Sequence, residues 1–103
     1  MKKALTLLLA LTITSPVYAT DYVYEAFQTL RQCKISKQNC AAYKKYTNDG
    51  MYYYFQRRNE SYENLKNYCM LLGLRINAMM YDGNGQLSKD MFNIQRYCSG
   101  VQL

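Results

Sequence analysis

Residues 61–80, SYENLKNYCMLLGLRINAMM, the turn DGNG at 82–85 and residues 86–101, QLSKDMFNIQRYCSGV, decide the fold. Tyr62, Leu65, Cys69, Leu72, Ile76, Met79 and Met80 recur at steps of three and four, the period of one face of a helix. Ser61 stands where a helix is capped, since its hydroxyl can accept from an otherwise unpaired N–H of the first turn. Glycines at 83 and 85 supply the positive φ that a reversal needs. Beyond them Met91, Ile94, Cys98 and Val101 repeat at three and four again. Ser88 is the expected cap of this last helix, with Leu87 and Phe92 at hydrophobic-staple spacing. The stretch predicts a helical hairpin.

The hairpin predicts its own cross-link. Cys69 lies 15 or 16 residues before the turn centre and Cys98 lies 13 or 14 after it. At about 1.5 Å of rise per residue both sit roughly 20 Å from the turn, so antiparallel helices bring them together. Pairing Cys69 with Cys98 leaves Cys33 with Cys40. Four cysteines allow two other connectivities, and the sequence alone does not close them. Zinc is disfavoured, because the chain has no histidine and no close C-x-x-C pair.

Upstream, Val23, Ala26, Phe27, Leu30 and Cys33 lay one apolar stripe along an expected helix at about 22–34. Ser36 is the expected cap of the next. Cys40, Tyr43 and Tyr46 or Thr47 keep helical spacing, and a break is expected at Asn48-Asp49-Gly50, a common helix-ending composition. Only eight residues after position 19 are Val, Ile or Thr, and none is proline. The expected fold class is therefore all-α, a small bundle of about four helices ending in the hairpin and stapled by two disulfides.

The first 19 residues carry a different pattern. Lys2 and Lys3 precede the uncharged run ALTLLLALTI at 4–13, and Pro16 breaks it before Val17-Tyr18-Ala19. This is the tripartite form of a cleaved export signal, with cleavage expected after Ala19. The run is too short to span a bilayer, which takes about 20 apolar residues, so no membrane anchor is expected. Residues 20–103 then form one small domain with a periplasmic or secreted destination, where paired thiols persist as disulfides. That domain holds 15 Val, Ile, Leu or Phe residues. Its core must draw on Tyr, Met and Cys as well, and the bridges supplement a marginal apolar core.

Thirteen basic residues face seven acidic ones; without Lys2 and Lys3 the balance is 11 to 7, about +4. The charge is concentrated. Residues 31–58 hold Arg31, Lys34, Lys37, Lys44, Lys45, Arg57 and Arg58 against Asp49 alone, interleaved with Tyr43, Tyr46, Tyr52, Tyr53, Tyr54 and Phe55. Four successive aromatics at 52–55 cannot all face inward from one helix. Tyr and Arg are the residues enriched at binding hot spots, so Lys44, Lys45, Tyr52, Tyr53, Tyr54, Arg57 and Arg58 are the candidate binding residues. The alternative is that several rings fill the aliphatic-poor core and the lysines solvate a helix face.

Chemistry has little to stand on. There is no His, no unpaired Cys is expected, and the remaining acid–base candidates are Glu60, Glu63, Asp82, Asp90, tyrosines and lysines. No catalytic residue, cofactor or metal site is assigned. Positions 80–92 partly match a calcium-binding EF-hand loop at Asp82, Asn84, Gly85, Leu87 and Ser88. Met80 and Met91 occupy the first and twelfth positions, where the ion needs oxygens, so calcium binding is not carried over. The expectation is an exported, non-enzymatic binding protein of the inhibitor or immunity type, docking its basic Tyr-rich surface on an acidic protein partner. The alternative is an accessory subunit of an envelope apparatus for secretion, conjugation or DNA uptake. Nucleic acid is disfavoured as a partner, because an exported protein meets it rarely and the charge is modest.

Overall fold

The structure, a computed structural model, describes residues 20–81, 83 and 85–103. The expected export signal lies outside the described residues, as do Asp82 and Asn84 of the turn. Four helices follow one another: α1 Tyr22–Ser36, α2 Cys40–Gln56, α3 Tyr62–Ala78 and α4 Gln86–Cys98. Among the described residues there is no strand. Helix α2 packs against both α1 and α3, α1 touches α3, and α4 packs on α3. The all-α bundle and its C-terminal hairpin are as the sequence predicts.

Both disulfides form in the predicted pairing. Cys69 and Cys98 join α3 to α4 with Cα atoms 5.8 Å apart, and Cys33 and Cys40 clip the corner between α1 and α2 at 4.7 Å. That short clip explains a departure from expectation at the corner. Ser36 does not cap α2; it is the last residue of α1, and its hydroxyl donates back to the Gln32 carbonyl at 3.0 Å. Three residues make the turn, with Lys37 and Asn39 both at φ 62°, so that Asn39 starts α2. The Asn39 side-chain amide donates to the Gln32 side-chain oxygen and holds the corner closed.

The largest departure is at Asn48-Asp49-Gly50, where α2 runs on unbroken to Gln56. Gly50 is there for packing. A Cβ on it would stand 2.5 Å from Tyr22 Cβ and 2.6 Å from Leu71 Cδ1, so its hydrogen lets α1 and α3 approach α2 together. Asn48 accepts from Arg75, and Asp49 pairs with Lys45 one turn back. Tertiary contacts thus override the local preference for a break.

Helix α3 begins as predicted, the Ser61 hydroxyl accepting from the Asn64 N–H at 3.2 Å. It ends two residues early, at Ala78, with Met79 left-handed at φ 54°. Helix α4 begins two residues before the predicted cap, after Gly85 at φ 75°. Ser88 sits inside its first turn, Phe92 is 60% exposed, and no staple forms. The earlier start places Gln86 one turn before Asp90, whose carboxylate organises this end of the bundle.

Asp90 is 1% exposed. It accepts from Arg75 Nε and Nη2, both at 2.8 Å, from the Tyr81 hydroxyl at 2.6 Å and from Gln86 Nε2 at 3.0 Å. Arg75 Nη1 reaches Asn48 Oδ1 at 2.5 Å, so one carboxylate ties α2, α3, the turn and α4 together. Burial pushes the Asp90 carboxyl up, but the hydrogen bonds from Arg75 and Tyr81 and the Arg75 charge outweigh it and hold it below the usual range. A buried charge is tolerable when paired and hydrogen-bonded in this way. The acid–base candidate of the sequence is a structural fastener.

The core is built as the composition requires. Ala26, Met51, Tyr54, Tyr68, Cys69, Leu71, Leu72 and Cys98 form the buried cluster, in which Leu71 and Leu72 are the only large aliphatics. Tyr43 is also buried. Among the described residues its hydroxyl has no hydrogen-bond partner, and burial pushes its pKa up.

Candidate functional site

The functional candidate is the C-terminal end of α2 and the rings around it. Helix α2 ends because the chain turns at 57–60: Arg57 N–H donates to Tyr54 O at 3.1 Å, Arg58 N–H to Phe55 O at 3.2 Å and Glu60 N–H to Arg57 O at 3.0 Å. The last carbonyls of a helix lack internal partners and carry the negative end of its dipole. Both arginines fold back onto them. Arg57 Nη1 donates to Tyr53 O at 3.0 Å and Arg58 Nη1 to Phe55 O at 2.8 Å.

Each guanidinium also lies on an aromatic face, Arg57 Cζ 3.8 Å above the Tyr53 ring and Arg58 Cζ 3.8 Å above Phe55 and 5.4 Å from Tyr97. Beneath them stand two clusters of three rings. Tyr22, Tyr53 and Tyr54 meet at centroid distances of 5.6, 6.0 and 5.2 Å, and Phe55, Tyr68 and Tyr97 at 5.0, 5.0 and 6.2 Å. These are the offset and edge-on separations that ring quadrupoles favour. One arginine surmounts each cluster. A cation over a ring gains from the quadrupole and keeps its charge turned outward.

Tyr52 is the ring that stays outside, 69% exposed. It borders a groove of about 270 Å³ with Met51, Phe55, Tyr68, Asn93 and Tyr97. Of the seven predicted binding residues the structure brings Arg57 onto Tyr53, while Arg58 lies over Phe55 and Tyr97, two of the residues that share the groove with Tyr52. Tyr54 is core, its hydroxyl pKa raised by burial. Lys45 is spent on Asp49 at 2.8 Å, and Lys44 lines a separate polar cleft with Tyr43, Asn48, Arg75, Tyr81 and Gln86.

Tyr22, Asn93, Tyr97 and Arg96, whose Cζ lies 5.6 Å from the Tyr97 ring, and the buried Tyr68 beneath them were not read from the sequence, since each arrives from another helix. One signal for two of them was present. Tyr68 precedes Cys69 and Tyr97 precedes Cys98, so the bridge that joins the cysteines also brings the tyrosines together.

No protein family, curated protein or solved structure matches the chain. Among the described residues no helix is long and apolar enough to cross a membrane. Two disulfides are compatible with an extracellular or periplasmic protein.

Proposed function

We propose that this is an exported protein that acts by binding and not by chemistry, docking the arginine-bearing aromatic end of α2 on an acidic protein surface in the manner of an inhibitor or immunity protein. The observation that carries the reading is the fixing of Arg57 and Arg58, each held by a ring face and a backbone carbonyl at the end of the helix that also exposes Tyr52. An arginine already fixed loses little side-chain freedom on binding, and it still offers the rest of its fork to carboxylates. Tyr52 adds a broad apolar face with a polar tip, the other hot-spot chemistry. The adjoining groove gives such a contact depth.

The test is recovery of partners from envelope extract by the oxidised protein, by Arg57→Glu/Arg58→Glu and by Tyr52→Ala, each checked for unchanged helicity. The charge reversal should lose the partner and the Tyr52 truncation should weaken it. A surface control, Lys89→Glu, should retain it. A packed protein interface weakens modestly as salt is raised, whereas binding to a polyanion falls steeply. Equal recovery by all four proteins would end this reading.

A further inference from the structure

A second surface lies elsewhere on the bundle and does not depend on the arginine-bearing aromatic end. Along α1, Phe27, Leu30, Arg31, Lys34 and Ile35 border a groove of about 570 Å³ whose far wall is Leu74 of α3. Leu74 is five residues from Cys69, and at about 100° per residue that places it some 140° around the helix from the bridge to α4. The groove is therefore on the flank of α3 that α4 leaves uncovered. Phe27 is 44% exposed and Ile35 76% exposed, so apolar side chains line it without a covering element among the described residues.

Arg31 and Lys34 stand among these apolar groups, and no carboxylate lines the groove. Some cations of the bundle are engaged, Lys45 with Asp49, Arg75 with Asp90, Arg57 and Arg58 with rings and carbonyls. Lys37, Lys66 and Lys89, like the two cations of the groove, have no side-chain ion pair among the described residues; of these, Arg31 and Lys34 are the two that border this groove. Among the described residues the side chains of Arg31 and Lys34 make no hydrogen bond or ion pair. An apolar trough between two helices is the shape into which the ridge of a third helix packs. Positions 27, 30, 31, 34 and 35 also repeat at the spacing by which one helix reads another.

We infer that this groove receives an amphipathic helix of a partner protein, apolar on its buried face and carrying carboxylates along its flanks. The apolar floor selects the buried face, and the two unpartnered cations select the acidic flanks. A nucleic acid would leave Phe27, Ile35 and Leu74 without contacts. A second copy of this basic chain would set like charges against each other.

The test uses two labelled helical peptides of about four turns with the same leucine face, one flanked by Glu and the other by Lys. Anisotropy titrations against the oxidised protein should give a preference of about tenfold or more for the Glu peptide. Arg31→Glu/Lys34→Glu should invert that preference, and Ile35→Ser, at an exposed position, should weaken both peptides without loss of helicity. Arg57→Glu/Arg58→Glu should leave the titration unchanged, which separates this groove from the aromatic end. Equal affinity for the two peptides, no binding of either, or failure of the reversal to invert the preference would overturn the assignment. So would a concentration-dependent dimer, seen by light scattering, that occludes the groove.

Discussion

At the scale of single residues, Gly50 and Asp90 show how position redefines a side chain. A helix interior ordinarily gains about 1 kcal/mol from Gly→Ala. Here the added methyl meets Tyr22 Cβ and Leu71 Cδ1 well inside contact distance, and overpacking of this kind costs about 1–3 kcal/mol. Gly50→Ala should therefore lower the urea midpoint despite its better propensity. Tyr43 makes the opposite case, because among the described residues its buried hydroxyl has no hydrogen-bond partner. Removing an unsatisfied polar atom without changing shape is neutral or favourable, so Tyr43→Phe should hold or raise stability by up to about 1 kcal/mol. A clear loss in the same urea experiment would show that the hydroxyl has a partner in solution. Asp90 sets the acid response. Its folded pKa lies below its unfolded value, so the stability it contributes is present above about pH 4 and is lost as pH falls through the folded pKa. Thermal melts from pH 6 downward should show that loss for the wild type. A shallower acid slope is expected for Asp90→Asn, whose baseline stability is lower.

At the scale of elements, the two bridges close loops of very different size, with sequence separations of 29 and 7. The chain-entropy model gives between about 3 and 4 kcal/mol for the longer and about 2 kcal/mol for the shorter. Cys69→Ala/Cys98→Ala should therefore melt well below Cys33→Ala/Cys40→Ala. The reverse order would assign the corner a larger role than its loop length allows. The helices, their order and the pairing of α3 with α4 were legible because period, turn composition and distance from the turn all pointed the same way. The length of α2 was not. Asn48-Asp49-Gly50 carries a stop signal at the local level, and only the approach of Tyr22 and Leu71, remote in sequence, converts the glycine into a packing position. The start of α4 was misplaced for a related reason: Ser88 competes as a cap with a register that Gln86, Asp90 and Arg75 impose across the hairpin.

At the scale of the whole molecule, aromatic rings and sulfur do much of the work that aliphatics do in larger cores. Full reduction should therefore abolish cooperative thermal unfolding near 37 °C, as seen by circular dichroism, since small domains rarely hold more than about 3–5 kcal/mol without such ties. The candidate site was legible in part. The sequence grouped the arginine pair with Tyr52, Tyr53 and Tyr54 without separating the exposed ring from the buried one, and the second ring cluster assembles from α2, α3 and α4, so no single stretch of sequence contains it. The disulfide pattern has one more consequence, for cleavage by proteases. Lys34 and Lys37 fall between the first pair of bridged cysteines, and Arg75, Lys89 and Arg96 between the second. A nick at any of these five sites leaves the two pieces covalently joined. Arg31, before the first bridge, and the stretch between residues 41 and 68 are spanned by neither bridge, so within residues 20–103 trypsin severs the chain at Arg31 or across α2, the turn that follows and the start of α3, the stretch that bears Arg57 and Arg58.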